Sequence, residues 1–264
     1  MTERTDPARE LAEICDRLNV DSKRPGAEFL AAQFDVEPWS REFYQIIFCI
    51  LERADFLKRV LGAVDYDEDF RAEAITHIED MKLAFSQSAF GNAWSHVGIK
   101  KVGPLNAQPL KMLSPAVRRE VAYPKLSAEE ISEVLAETEQ LERWLSEQQL
   151  AEHDFIRQAI LDGLAHFKFR MLRLNWLGWG YATESLREVI AAYFALERTG
   201  PTAADSPNAE AVLRKVEETM KSVFKKTKVV TDVVSAGDIM LRGYGALMLT
   251  WQSGQIAGLL PHLP

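Results

Sequence analysis

The chain has 264 residues, 47% hydrophobic and 27% charged, enough to bury a substantial core without a disulfide or metal staple and free of disordered or fibrous bias. Its formal charge of -8 at pH 7 argues against wholesale wrapping of nucleic acid, although a local basic surface remains compatible with it. Cys15 and Cys49 stand far apart with no C-x-x-C pair, which points to buried reduced thiols rather than zinc or redox chemistry.

The N-terminal stretch MTERTDPARELAEICDRLNV is charged from the start and lacks the apolar run and small-residue cleavage site of a secretory signal, so a cytoplasmic location is expected. Helical periodicity dominates from Pro7 onward, with no convincing period-two run. PARELAEICDRL and PGAEFLAAQF read as two short helices entered through prolines, which are tolerated in a first turn because the missing N–H had no partner there. From Pro38 to Leu61, Phe43, Ile47, Ile50, Ala54, Leu57 and Leu61 form one stripe at intervals of three and four, a core-facing helix stopped by Gly62. DYDEDFRAEAITHIEDMKLAFSQSAF opens with acids suited to the positive end of a helix dipole and turns Phe70, Ala74, Ile78, Met81 and Phe85 inward.

Between residues 91 and 126 the pattern collapses. Pro104, Pro109, Pro115 and Pro124, with Gly91, Gly98 and Gly103, argue against any long helix and leave only SPAVRREV as a short one. Helix resumes at Ser127, whose SAEE is a capping box, and a second run begins at DFIRQAILDGLAHFKFRMLRL. One uninterrupted helix over 127–175 would be about 70 Å long, so a turn is expected near 148–153. RMLRLNWLGWGYATES then places Gly178 and Gly180 among Trp176 and Trp179. A break or sharp kink is expected there, followed by a fresh helix capped by Ser185 and Glu188. A helix opened by Pro207 ends in KSVFKKTK, and a last one is expected from about Val229 to Trp251. The expected fold is all-α: one helical domain over 1–264, a bundle of about seven to nine helices. It comprises N-terminal helices over 1–90, a long irregular basic loop over 91–126 and a C-terminal bundle over 127–264.

Several chemistries are missing by spacing. There is no H-E-x-x-H, no Gly-rich phosphate loop and no G-x-S-x-G elbow. The residues three before His77, His96, His153 and His166 are Ala74, Ala93, Leu150 and Gly163, so the Glu-x-x-His pairs of di-iron bundles are absent. No metal and no cofactor is expected. RAEAITH, Arg71 to His77, resembles the Arg-to-His motif of HEPN ribonucleases, small helical proteins of toxin–antitoxin and phage-defence systems. The resemblance covers seven residues, and Ala72 stands where that family often has a polar residue. It implies a catalytic pair, Arg71 and His77, acting on RNA across a dimer interface.

The segment 91–127 carries Lys100, Lys101, Lys111, Arg118, Arg119 and Lys125 against Glu120 alone, a balance of +5 that leaves -13 for the rest of a chain at -8. Such segregation steers an acidic protein or a nucleic acid toward one surface. Trp94 and His96 beside it are candidates to stack a base and meet a phosphate, with Lys100, Lys101, Arg118 and Arg119 as the cations; the bland alternative ties these cations to the protein's own acidic helices. The tail from Gly243 to Pro261 has no charged residue, but Gln252 and Gln255 interrupt it, so a buried or dimer-forming helix is expected before a membrane-acting one. The expected function is a helical binding or regulatory module, a homo-oligomer that engages its partner through the basic loop. The alternatives are an RNA-directed nuclease and a membrane effector.

Overall fold

The computed structural model describes residues 3–148, 150, 154–199 and 207–227. Among these the fold is all-α, as the periodicity predicts. Nine helices run for nine residues or more, and the one pairing of named strands joins two dipeptides, β1 (Arg4–Thr5) and β2 (Tyr123–Pro124). The helix expected over 229–251 and the uncharged tail lie outside the described residues. By internal contacts the chain forms two compact units.

The first unit holds residues 3–123 together with Asn175–Gly178. Its helices begin where local chemistry says they should. α1 (Pro7–Leu18) is capped by Asp6, whose carboxylate accepts the Arg9 amide. α2 (Gly26–Phe34) follows Pro25; α3 (Arg41–Ala63) is capped by Ser40 and α4 (Glu68–Lys82) by Asp67. Each side-chain oxygen satisfies an amide that the first turn leaves without a carbonyl. Leu11, Ile14, Ile46, Ile50, Leu57 and Ile78 meet in the core. Phe70, expected inward, stays at the margin with its ring 4.7 Å from Tyr66. After a 3-10 turn, α5 (Gln87–Gly91) closes the region that the sequence joined to α4.

The irregular loop expected over 91–126 is not there. Gly98–Val102 forms α6, and Pro104–Glu120 forms α7, a 17-residue helix with Pro109 and Pro115 inside it. Pro104 at the first turn costs nothing, but Pro109 and Pro115 cannot donate to the carbonyls four residues back. Packing compensates. Asn106, Ala107, Leu110, Leu113, Ser114 and Val117 are buried at helical spacing against α1, α3 and α4, while Pro115 sits on the opposite, exposed face. Burying these side chains outweighs two missing hydrogen bonds, each worth about 1 kcal/mol net.

The second unit contains α8 (Ala128–Ser146), α9 (Asp154–Leu172), α11 (Trp179–Thr199) and α12 (Pro207–Thr227). α8 packs on α9, α9 on α11, α11 on α12 and α12 on α8, which closes a ring of four helices. Ser127 and Glu130 form the expected capping box, and the chain breaks between Ser146 and Asp154 near the position expected. Lys226 bridges Glu133 at 2.8 Å and Glu137 at 2.9 Å, joining α12 to α8. Phe155 is exposed, one position off the buried face that carries Ile156, Ile160, Leu164 and Phe167.

Between α9 and α11 lies α10 (Leu174–Leu177), and the break comes at Gly178, with φ of +79°. α11 starts at Trp179 rather than at the Ser185 capping box. Asn175–Gly178 belongs to the first unit: Trp176 packs edge-on to Phe34 at 5.0 Å, and its carbonyl accepts from Arg53 Nη2 at 2.8 Å. Arg53 is 3% exposed and pairs through Nε with Glu10 at 3.4 Å. A Cβ on Gly178 would stand 2.5 Å from the guanidinium carbon. Close approach and a left-handed backbone both require glycine there.

Candidate functional site

α4, α6 and α7 of the first unit carry most of the nominated residues. Asn106, buried on α7, is the hub. Its Nδ2 donates to Asp80 Oδ2 at 2.8 Å and to the Lys101 carbonyl at 2.9 Å, and its Oδ1 faces His77 Nδ1 at 2.9 Å. Both partners of Nδ2 only accept, so the amide has one workable orientation. Oδ1 must then accept from His77, which places that ring's proton on Nδ1 and leaves Nε2 as the acceptor of the neutral imidazole. Nε2 lies 3.9 Å from Glu73 Oε1. Lys101 closes the network with an ion pair to Asp80 Oδ1. Burial works against the Asp80 carboxylate, but the bonds from Lys101 and Asn106 prevail and hold it below the usual aspartate range.

His77 and Lys101, nominated for different chemistries, therefore sit in one network. Arg71 does not join them. Its Nη2 donates to the carbonyls of Tyr66 at 3.0 Å and Val64 at 3.3 Å, so the guanidinium fastens the turn between α3 and α4. Trp94 is core: its indole N–H donates to the Leu18 carbonyl at 3.0 Å, and Phe29 stacks on it with centroids 4.8 Å apart. Gly98 lies directly over the ring, where a Cβ would collide with it. No ring face is left for a base.

The cations divide into two groups. Lys111 pairs with Asp16 at 2.8 Å, and Arg118 pairs through Nε at 3.1 Å with Asp6, a fully buried carboxylate that also accepts from Ser114 Oγ at 2.6 Å. As α1 advances from Asp6 to Asp16, its partners step back along α7 from Arg118 to Lys111, the order of an antiparallel pair. Lys100 and Arg119 are exposed, as is His96, and among the described residues Lys100 and Arg119 have no ion-pair partner. Residues 97–119 contain no acid at all. α7 also presents Leu105 and Met112, each 72% exposed.

Sequence reasoning missed Asn106, Asp80 and this outer face. The signal was present: positions 106, 107, 110, 113, 114 and 117 repeat at helical spacing, so 105, 108, 112, 115 and 119 fall opposite. Among the described residues no three His, Cys, Asp or Glu side chains are grouped to hold a metal ion, and no helix is long and apolar enough to cross a membrane. No family model, no curated protein and no solved structure matches this chain.

Proposed function

We propose that the protein is a helical binding module that engages an acidic protein partner through the surface of α6 and α7. The observation that carries this reading is the acid-free run 97–119, whose exposed Lys100 and Arg119 have no ion-pair partner among the described residues. In a chain at -8, a surface on which Glu120 is the one acid of α6 and α7 and Lys100 and Arg119 stay exposed attracts negative groups and repels positive ones. The burial of Trp94 favours protein over nucleic acid, because stacking on a free aromatic face is the usual source of single-strand affinity. Lys101 and Arg118 already neutralise Asp80 and Asp6, so the informative variant is Lys100→Ser with Arg119→Ser. Fluorescence anisotropy with a labelled acidic peptide should show affinity reduced roughly threefold to tenfold, with a shallower salt dependence. Unchanged affinity overturns the reading.

A second reading, RNA cleavage by His77, draws on one observation: Asn106 orients the imidazole with Nε2 as its proton acceptor, the state a general base needs. Arg71 is committed to backbone carbonyls and supports it less. This reading predicts growth arrest on expression, relieved by His77→Ala; equal growth of the two strains removes it. Native mass spectrometry with absorbance at 260 nm tests the proposed homo-oligomer and reports co-purifying nucleic acid.

A further inference from the structure

We infer that the outer face of α7 docks an acidic amphipathic helix of a partner protein. The inference rests on the binding reading above and names the shape of the partner. Leu105 and Met112 lie two turns apart on one line with Gln108, Pro115 and Arg119, opposite the buried face. Exposed surface at two large apolar side chains on one stripe is unusual, because a solvent-facing helix side normally carries charge. Met adapts to irregular partners, as at other helix-binding surfaces.

The chemistry selects the occupant. A peptide that adds as a strand needs an open strand edge, and α7 offers none because its amides are used within the helix. A second helix needs a ridge of side chains at spacings of three and four, which 105, 108, 112, 115 and 119 supply over about 21 Å at 1.5 Å per residue. That length suits roughly four turns of partner. Its apolar residues cover Leu105 and Met112, and its flanks carry acids: the stretch 97–119 lacks a negative charge, Arg119 lies on the stripe itself and Lys100 is exposed on α6, which precedes it in the chain. A basic helix would meet like charge at Arg119.

The test uses the full chain and three labelled probes. One is a peptide of Leu, Met, Glu and Ala with its apolar residues at helical spacing; the second has the same composition in an order that scatters them; the third is a single-stranded RNA of equal charge. The helical-order peptide should bind at least about tenfold tighter than the scattered one, the scale expected for burying two apolar side chains. Leu105→Ser with Met112→Ser should abolish that difference, and circular dichroism should remain unchanged because both positions are exposed. Lys100→Ser with Arg119→Ser should weaken both peptides alike. Equal binding of the two peptides, tighter binding of the RNA, or full affinity in the Leu105/Met112 variant overturns the inference. If the cation variant still weakens both peptides, the acidic-partner reading survives; if it changes neither, that reading falls as well.

Discussion

Gly178 shows how one residue's backbone settles a local question. Its φ of +79° lies in the left-handed region, and the space beside its Cα is filled by the Arg53 guanidinium. Gly178→Ala therefore adds backbone strain and presses on the Arg53–Glu10 pair. The expected loss is roughly 1–3 kcal/mol, read as a lower urea midpoint. The glycine-rich stretch around Trp176 and Trp179 marked a break, and the break exists. The Ser185 cap did not become a helix start, because Trp179 to Ser185 continues as helix ahead of it. A capping box is a local preference of about 1 kcal/mol, and the tertiary setting of α11 outweighs it.

At the scale of elements, α7 is decisive. Proline chemistry alone disfavours a helix over 104–120, whereas the stripe of Asn106, Ala107, Leu110, Leu113, Ser114 and Val117 favours one. The two signals conflict locally, and only the presence of α1, α3 and α4 alongside resolves the conflict. Asp6 ties this helix down: it caps α1 and holds Ser114 and Arg118 of α7 from a fully buried position. Asp6→Ala removes the cap and two charge-assisted bonds at once. A loss of roughly 2–4 kcal/mol is expected in urea unfolding, with part recovered in Asp6→Asn, which keeps the cap. A variant indistinguishable from the parent would show that the α1–α7 clamp contributes nothing.

At the scale of the whole molecule, charge is sorted rather than scattered, and Lys101, Lys111 and Arg118 of the basic segment pair with Asp80, Asp16 and Asp6. Asp55 and Glu79 lie between Lys58 and Lys82. For Asp55, burial acts to raise the carboxyl, but the lysine bonds prevail; for Glu79, the bond from Lys58 leads, and both acids sit below their usual ranges, as does Asp80. A carboxylate depressed in the folded state stabilises above its ordinary value and loses that contribution as pH falls through the depressed one. The Lys58 ammonium is raised by Asp55 and Glu79, so its contribution disappears only as pH rises past the ordinary lysine range. Stability should hold from pH 7 to about 5 and fall below about 4.5, the ordinary glutamate range. Asp80→Asn should flatten the acid limb in urea titrations; an unchanged limb would exclude Asp80 as a contributor.

The helical class, the starts of α1 and α8 and the break between α8 and α9 follow from sequence alone, since caps and stripes are local and repeat within a few residues; α3 and α4 begin at Arg41 and Glu68, later than the Pro38 and Asp65 expected. The basic segment was legible as composition but not as structure. Whether a cation is free or paired depends on residues about 20 to 110 positions away, such as Asp80 for Lys101 and Asp6 for Arg118. The same holds for His77, whose tautomer is set by Asn106 from another helix, and for Trp94, whose indole meets Leu18 across 76 positions. Local propensity is written residue by residue, while exposure, pairing and proton position arise only when distant segments pack, and that packing separates the surface of α7 from its core.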